Sequence, residues 1–205
     1  MPLLILHTLL IWLTLIPAPA EKTAEATDWK LVKNEQNIRV YTADMESSSF
    51  KKIKVEAVVE GKWENIVPAF QDISNYDAWV FATERAHLIR KTNGRRVLYY
   101  IETDLPWPAK NRDTAIRMRI STSEDGTIRI DTEARPNAVA TTDGHVRVEH
   151  FNGKWIFRKA GKGKIGITYY LDLDPGGNLP PWIVNMFVAK GPFETISKLS
   201  EILQQ

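Results

Sequence analysis

The chain offers few residues that could perform catalysis or hold a metal. It has no cysteine and four histidines, which excludes thiolate zinc sites, iron–sulfur clusters and cysteine nucleophiles. The sequence contains no His-x-x-x-His pair and no Gly-x-Ser-x-Gly nucleophile elbow, the spacings used by many metalloproteases and serine hydrolases. The sequence therefore predicts no catalytic residue, no metal and no cofactor.

Four polar residues on predicted strands could still serve an enzyme: Tyr99, Glu102, His150 and Tyr169. They would do so only if two ionisable groups converged within hydrogen-bond distance in one cavity. His150 has the same parity as apolar neighbours, so we expect a buried, hydrogen-bonded histidine. Arg112 precedes Asp113, and we interpret the two as an ion pair that fixes a loop. Arg112 acting at an anionic membrane is the alternative.

Composition points to a globular chain rich in apolar material. Of the 205 residues, 43% are hydrophobic, 10% aromatic and 25% charged, with a formal net charge of +2. A charge this small and mixed gives no basic surface for nucleic acid. The aromatic content suits either a thick core or the lining of an apolar cavity.

Alternating apolar and polar residues predict that most of the chain forms strands. In the segment 50–60, Ile53, Val55, Ala57 and Val59 share one side, and charged residues occupy the other. Turn dipeptides separate the strands, so we expect serial hairpins in an antiparallel sheet with one apolar face. Similar segments are centred on Tyr99, Met118, Ile130, Val148 and Ile167; the turns are Asn93-Gly94, Asp125-Gly126, Asp143-Gly144, Asn152-Gly153 and residues 161–163.

Two helices are predicted to cover this apolar face. The first spans residues 62–72, with Pro68 inside it. The second follows Pro180-Pro181 and carries an apolar stripe through Trp182, Met186, Ala189, Phe193, Ile196 and Leu203. Pro192 removes a backbone donor within the second helix, so we expect a bend near Gly191.

Several motifs identify a resemblance that covers about residues 29–203. They are Pro106-Trp107-Pro108 followed by Asn111-Arg112-Asp113, the Pro180-x-Trp182-x-x-Asn185 start of the last helix, and Tyr76-x-x-Trp79. Together with the strand order, they resemble the START family, the steroidogenic acute regulatory-related lipid transfer domains. The resemblance implies an α+β helix-grip fold, in which a curved antiparallel sheet wraps around a long C-terminal helix.

The resemblance also implies an apolar tunnel for one lipid or sterol, closed by a gate made of residues 105–111, residues 135–144 and the last helix. The gate residues would be Pro106, Trp107, Val139 and Trp182. Arg117 and Arg119 have outward parity. The strand that carries them therefore presents neither charge to a ligand in the tunnel. Ordinary core packing is the alternative role for the predicted lining residues, which are Val97, Tyr99, Ile116, Met118, Ile130, Val148, His150, Ile167, Tyr169, Met186 and Phe193.

The N-terminus resembles a signal peptide. The apolar run 3–16 is too short for an ordinary membrane span, and Ala18-Pro19-Ala20 supplies small residues for cleavage after Ala20. An uncleaved anchor is the alternative, because no Lys or Arg precedes the run. With no cysteine and no glycosylation sequon, residues 21–205 are predicted to form one START-like domain exported to a bacterial periplasm.

The sequence thus favours a non-enzymatic carrier for a lipid or other hydrophobic small molecule. We expect a monomer with no nucleic-acid partner, and transient membrane-surface contact through Trp107 and Val139. The alternatives are an enzyme of the wider helix-grip superfamily, a cyclase or hydrolase acting on a hydrophobic substrate, and a ligand-gated interaction module.

Overall fold

The structure is a computed structural model that describes residues 27–45 and 48–205. The predicted signal peptide, residues 1–20, lies outside the described residues. Within the described part of the chain, no helix is both long enough and apolar enough to cross a bilayer.

Ten strands of the described chain form one sheet, in the order β1-β2-β3-β10-β9-β7-β6-β5-β4. Neighbouring strands in this order are antiparallel, and the short β8 pairs with β6 in parallel. The edges of the sheet are β1 and β4. The strands are β1 (Lys30–Glu35), β2 (Ile38–Met45), β3 (Ser48–Glu60), β4 (Thr83–Thr92), β5 (Arg96–Thr103), β6 (Arg112–Thr122), β7 (Ile128–Ala134), β8 (Val146–Arg147), β9 (His150–Lys159) and β10 (Lys164–Asp174).

One predicted turn, Asn152-Gly153, is wrong because both residues lie inside β9. A Cβ on Gly153 would come within 2.3 Å of the Thr132 hydroxyl oxygen on the neighbouring β7. The glycine therefore permits a close approach between strands, which is the other common role of glycine in a sheet. Asn93 and Gly94, in contrast, both have positive φ in the turn between β4 and β5, as predicted.

The prediction that His150 points inward is also wrong. The expected strand from Val146 to His150 is broken: β8 ends at Arg147 and β9 begins at His150. The break changes the parity, so His150 lies on the surface with its Nε2 2.9 Å from an Asp172 carboxylate oxygen.

Short helices cover part of the apolar face of the sheet. The predicted helix over 62–72 is a 3₁₀ turn, Trp63–Asn65, followed by α1 (Ile66–Gln71). Pro68 falls in the first turn of α1, where no intrahelical bond needs its missing N–H. A second 3₁₀ turn leads into α2 (Tyr76–Trp79).

The C-terminal helix is interrupted close to the predicted bend. It consists of α3 (Pro181–Asn185), a π-helical segment (Met186–Lys190) and α4 (Gly191–Gln204). Pro192 provides no N–H to the preceding turn, which favours such a local widening. The inner side of α4, including Ile196, Leu199 and Leu203, is fully buried against the sheet and α1. The predicted α+β fold, a curved antiparallel sheet holding a long C-terminal helix, is confirmed.

Candidate functional site

A cavity of about 170 Å³ lies between the sheet and the helices. Its sheet wall comes from β5, β6, β7, β9 and β10, and its other wall comes from α2 and the C-terminal helix. Most of the lining is apolar. The principal wall residues are Phe70, Trp79, Tyr99, Ile101, Ile116, Thr132, Trp155, Tyr169, Leu171, Phe187 and Thr195.

Packed aromatic rings form the inner wall of the cavity. The rings of Trp155 and Tyr169 are stacked, with centroids 3.7 Å apart and planes 16° apart. Phe70 meets both Trp79 and Trp155 edge-on at 5.1 Å. Aromatic pairs of this kind contribute about 0.5–1.5 kcal/mol each beyond their buried area, so they stabilise this wall.

Two buried polar groups on the cavity wall have no hydrogen-bond partner among the described residues. They are the indole N–H of Trp79 and the hydroxyl of Thr132. Leaving a buried polar group unpaired costs about 1–3 kcal/mol. A guest with oxygen or nitrogen atoms could satisfy them.

Both cavity tyrosines remain neutral over the physiological range. Burial raises the pKa of Tyr99 and of Tyr169 well above the usual value of a phenol, and the nearby Tyr169 raises that of Tyr99 further. A phenol that stays protonated can donate a hydrogen bond but cannot act as a base at neutral pH.

A buried arginine lies on the wall of the cavity. Arg112 is 4% exposed and lines the cavity. It donates to the backbone carbonyl of Pro175 at 3.2 Å and to that of Gly176 at 2.8 Å. No carboxylate pairs with it among the described residues, and burial lowers the pKa of its guanidinium.

The predicted ion pair between Arg112 and Asp113 is therefore wrong. Successive residues of β6 point to opposite faces of the sheet, so Asp113 faces away from Arg112. Asp113 pairs instead with Arg147, through contacts of 2.8 Å from Nε and 2.9 Å from Nη2. Burial alone would raise the pKa of Asp113, but hydrogen bonds from Arg147, Thr142 and Tyr100 outweigh it and lower the pKa.

Arg147 also holds the loop 135–144. Its guanidinium donates to the carbonyl oxygens of Pro136, of Val139 at 3.2 Å and of Ala140 at 2.7 Å. One half-buried side chain thus connects a strand carboxylate to three backbone positions of the loop. This loop and residues 105–111 are the two loops of the predicted gate, and of their residues Leu105 lines the cavity; we name them the mouth loops.

Tyr100 connects two carboxylates behind the mouth. Its hydroxyl oxygen lies 2.8 Å from Glu102 Oε1 and 2.9 Å from Asp113 Oδ2. The hydroxyl has one proton, so it can donate to only one of them at a time. Burial would raise the pKa of Glu102, but Arg85 and Tyr100 outweigh this and lower it. Both carboxylates therefore remain ionised at neutral pH.

The C-terminal helix closes the cavity through a tight contact. Phe81 packs edge-on against Phe187 with ring centroids 5.4 Å apart, and its backbone N–H donates to the Thr195 hydroxyl at 3.1 Å. A Cβ on Gly191 would lie 2.8 Å from the Phe81 ring. The absence of a side chain at Gly191 allows this closure.

The predicted lining residues fall into three groups. Tyr99, Ile116, Val148 and Tyr169 do line the cavity. Four others are buried in the surrounding core: Val97, Met118, Ile130 and Ile167. The remaining three lie elsewhere: His150 is on the surface, Met186 is half-buried, and Phe193 packs beneath the Lys33 ammonium group at 4.3 Å.

The predicted gate residues lie outside the cavity lining. Trp107 is 89% exposed and Trp182 is 51% exposed. Pro106 is also exposed, whereas Val139 is half-buried. The carbonyl oxygen of Val139 accepts a hydrogen bond from Arg147. The neighbours Leu105 and Leu179 reach the cavity instead.

Sequence reasoning missed Phe81, Arg112, Phe187 and Thr132 as cavity residues. Phe187 was missed because the π-helical segment changes the helix phase, so that Ile183, Phe187 and Gly191 face inward in place of Trp182 and Met186. The adjacent Pro192 was the available signal. Thr132 was on the inward parity of β7 and could have been found.

Comparisons with known proteins agree with this arrangement. The START domain sequence model matches residues 20–205. An uncharacterized protein of Pseudomonas aeruginosa is 30% identical over 86% of this chain and 87% of its own. The phosphatidylcholine transfer protein of Bos taurus is 25% identical over 80% of this chain and 78% of its own.

Solved structures extend the likeness to the fold. A STAR-related lipid transfer protein from Xanthomonas axonopodis superposes with a TM-score of 0.78 at 26% identity, covering 86% of this chain and 99% of the other. Human StAR-related lipid transfer protein 5 has a TM-score of 0.72 at 18% identity, covering 88% of each chain. The chain belongs to the START domain family, whose members bind and transfer lipids.

Proposed function

We propose that this protein binds one lipid molecule in the cavity between the sheet and the C-terminal helix and carries it through water. The proposal rests on one observation, the largely apolar cavity between the sheet and the C-terminal helix. Each CH₂ group removed from water contributes about 0.8 kcal/mol, so ten such groups contribute about 8 kcal/mol. Such a gain corresponds to micromolar affinity before the costs of binding.

The size of the cavity implies that the mouth widens during uptake. At about 170 Å³, it exceeds the ~150 Å³ that admits benzene, but it is smaller than the ~300–1,000 Å³ of typical ligand pockets. Motion of α3 and the π-helical segment would enlarge it, because Phe187 and Gly191 form its closing wall. The irregular hydrogen bonding of the π segment makes this the natural hinge.

The unpaired polar groups narrow the class of ligand. Trp79 and Thr132 offer unpaired donors on the inner wall, which the phenols of Tyr99 and Tyr169 also line. A pure hydrocarbon would leave the two unpaired groups unsatisfied. We therefore propose an amphipathic lipid or sterol-like ligand with an oxygen-bearing group. The phosphatidylcholine transfer proteins among the relatives are consistent with this class.

The cavity supports a carrier better than an enzyme. Its tyrosines stay protonated, and the carboxylate of Asp113 is neutralised by Arg147. No pair of free ionisable groups converges among the described lining residues, so general acid–base catalysis has no evident agents. His150, an enzymatic candidate, lies on the surface.

We expect the protein isolated from its own compartment to retain one lipid per chain. Native mass spectrometry would detect the complex, and extraction would identify the lipid. The same spectrum tests the proposed export, since cleavage after Ala20 leaves a chain of residues 21–205 recovered from the periplasm. Repeated recovery of empty protein that takes up no lipid from vesicles would contradict the carrier function.

Trp107 is proposed to contact the membrane during lipid exchange. Inserting about 60 Å² of its indole at ~25 cal/mol per Å² contributes about 1.5 kcal/mol, or about tenfold in partitioning. Trp107→Ala is therefore expected to reduce binding to lipid vesicles about tenfold in a sedimentation assay. The matched control is Leu88→Ala, since Leu88 is 49% exposed on β4, and it should leave vesicle binding unchanged. Equal effects of both substitutions would contradict the proposed role.

A further inference from the structure

Three potential metal ligands meet on the face of β5 opposite the cavity. They are Glu84 on β4, Glu102 on β5 and His145, which directly precedes β8. One ligand atom from each lies within 4.8 Å of the other two. The three residues are far apart in the sequence, so the spacing rules that predicted no metal could not detect them.

The hydrogen bonding of His145 prepares it as a ligand. Its Nδ1 lies 3.1 Å from the carbonyl oxygen of Asp143. A carbonyl oxygen only accepts, so Nδ1 carries the proton and Nε2 of the neutral ring presents a lone pair. Metal-binding histidines are usually oriented in this way, with the other ring nitrogen donating to a carbonyl or carboxylate.

The Nε2 atom of His145 faces a carboxylate oxygen of Glu102, which has no proton to donate to it. Nε2 is buried without a hydrogen-bond partner among the described residues and lies 4.0 Å from Glu102 Oε2. When Nε2 carries no proton, its lone pair and the carboxylate oxygen repel each other, and a cation bound to both would remove this repulsion. The separation is wider than direct hydrogen bonding allows. A tetrahedral ion with ligands about 2 Å away would draw the two atoms a few tenths of an ångström closer together.

Both carboxylates have hydrogen bonds that leave an oxygen free for coordination. Glu102 Oε1 is taken by Tyr100 at 2.8 Å and by Arg85, which leaves Oε2 free. Glu84 Oε2 accepts from the Asn111 amide at 2.7 Å, so its second oxygen can turn toward the cluster. Each potential ligand is thus held by a residue behind it, as in established metal sites.

We propose that Glu84, Glu102 and His145 bind one divalent transition-metal ion of the Zn²⁺ class. One imidazole nitrogen and two carboxylate oxygens suit such an ion, and imidazole disfavours Mg²⁺ and Ca²⁺. Three protein ligands leave a fourth position for water. This site is separate from the lipid cavity and does not depend on the function proposed above.

A bound ion would connect the two mouth loops. Asn111 ends the first loop and bonds Glu84, and its Oδ1 accepts from the Leu105 N–H at 3.0 Å. His145 directly follows the second loop. The ion would therefore hold both loops against β4 and β5, and its removal would loosen the opening of the cavity.

Titration calorimetry of the full chain with Zn²⁺ after chelator treatment tests the proposal. We expect one ion per chain, no equivalent binding of Mg²⁺, and a higher melting temperature with Zn²⁺. His145→Ala should abolish the site. Glu84→Gln, a change at an exposed position, should weaken Zn²⁺ binding at least tenfold while the circular dichroism spectrum stays native.

His150→Ala is the matched control. His150 also lies beside a carboxylate, Asp172, at 2.9 Å, but belongs to no three-ligand group among the described residues, so Zn²⁺ binding should be unchanged. Absence of Zn²⁺ binding in the wild type, or unchanged affinity in Glu84→Gln, would overturn the proposal. A protein that binds no Zn²⁺ but melts at a higher temperature when the pH is lowered would also overturn the proposal, because the three residues would then bind only a proton.

Discussion

Replacing Arg147 by alanine is expected to lower the free energy of unfolding by about 3–5 kcal/mol. Asp113 is 1% exposed at its side chain and Arg147 is 13% exposed. Removing one partner of a buried ion pair leaves the other charge without compensation, which carries a cost of this size. The carbonyls of Val139 and Ala140 lose their donor in the same step. Chemical denaturation of both proteins at neutral pH measures the difference.

Arg117→Ala provides the comparison for this prediction. Arg117 pairs with Glu133 across the neighbouring strands β6 and β7, and both side chains are more than 40% exposed. Exposed pairs contribute about 0–1 kcal/mol, so this variant should remain close to the wild type. If both variants lost a similar free energy of unfolding, the burial of Asp113 would not explain the effect of Arg147→Ala.

The same ion pair should influence the acid stability of the protein. The folded pKa of Asp113 lies below its usual value of 3.8, so its ionised form stabilises the fold. That contribution is fully present above the unfolded pKa and is lost as the pH falls through the lower folded pKa. Asp113→Asn should therefore show a shallower loss of stability than the wild type below about pH 4.

Leu171→Trp is expected to reduce lipid uptake at least tenfold while the protein still folds. Leu171 lies on β10 and lines the cavity, and the larger indole would occupy space that a ligand needs. A tenfold loss corresponds to about 1.4 kcal/mol of binding. Overpacking costs about 1–3 kcal/mol of stability. Uptake of a fluorescent phospholipid from vesicles, measured beside thermal unfolding, separates the two effects.

Tyr170→Trp is the matched control, because the preceding residue on β10 points outward and is 36% exposed. It should change neither uptake nor the melting temperature appreciably. If Leu171→Trp folds and takes up as much lipid as the wild type, the ligand does not occupy this cavity.

Strand parity could be predicted because it depends on neighbouring residues alone. Tyr99, Ile116 and Tyr169 were placed on the inward face by alternation, and they are buried and line the cavity. Alternation cannot distinguish a residue at the cavity from one packed behind it. Met118 and Ile167 follow the same pattern, yet lie in solid core.

The errors occurred where long-range contacts override a local pattern. The partner of Asp113 is 34 residues away, and no spacing rule connects it to Arg147. His150 changed face because the chain breaks between β8 and β9. The π-helical segment shifted the inward stripe of the last helix, which a regular 3.6-residue period cannot represent.

The open ends of the sheet have a consequence for self-association. Both terminal strands, β1 and β4, present unpaired backbone groups that a second copy could extend. Each carries a bulge, between Leu31 and Lys33 in β1 and between Leu88 and Arg90 in β4. The bulges interrupt a continuous hydrogen-bonding template for such a copy. The exposed apolar residues Leu31 and Leu88 therefore lie on edges that are poorly suited to strand addition.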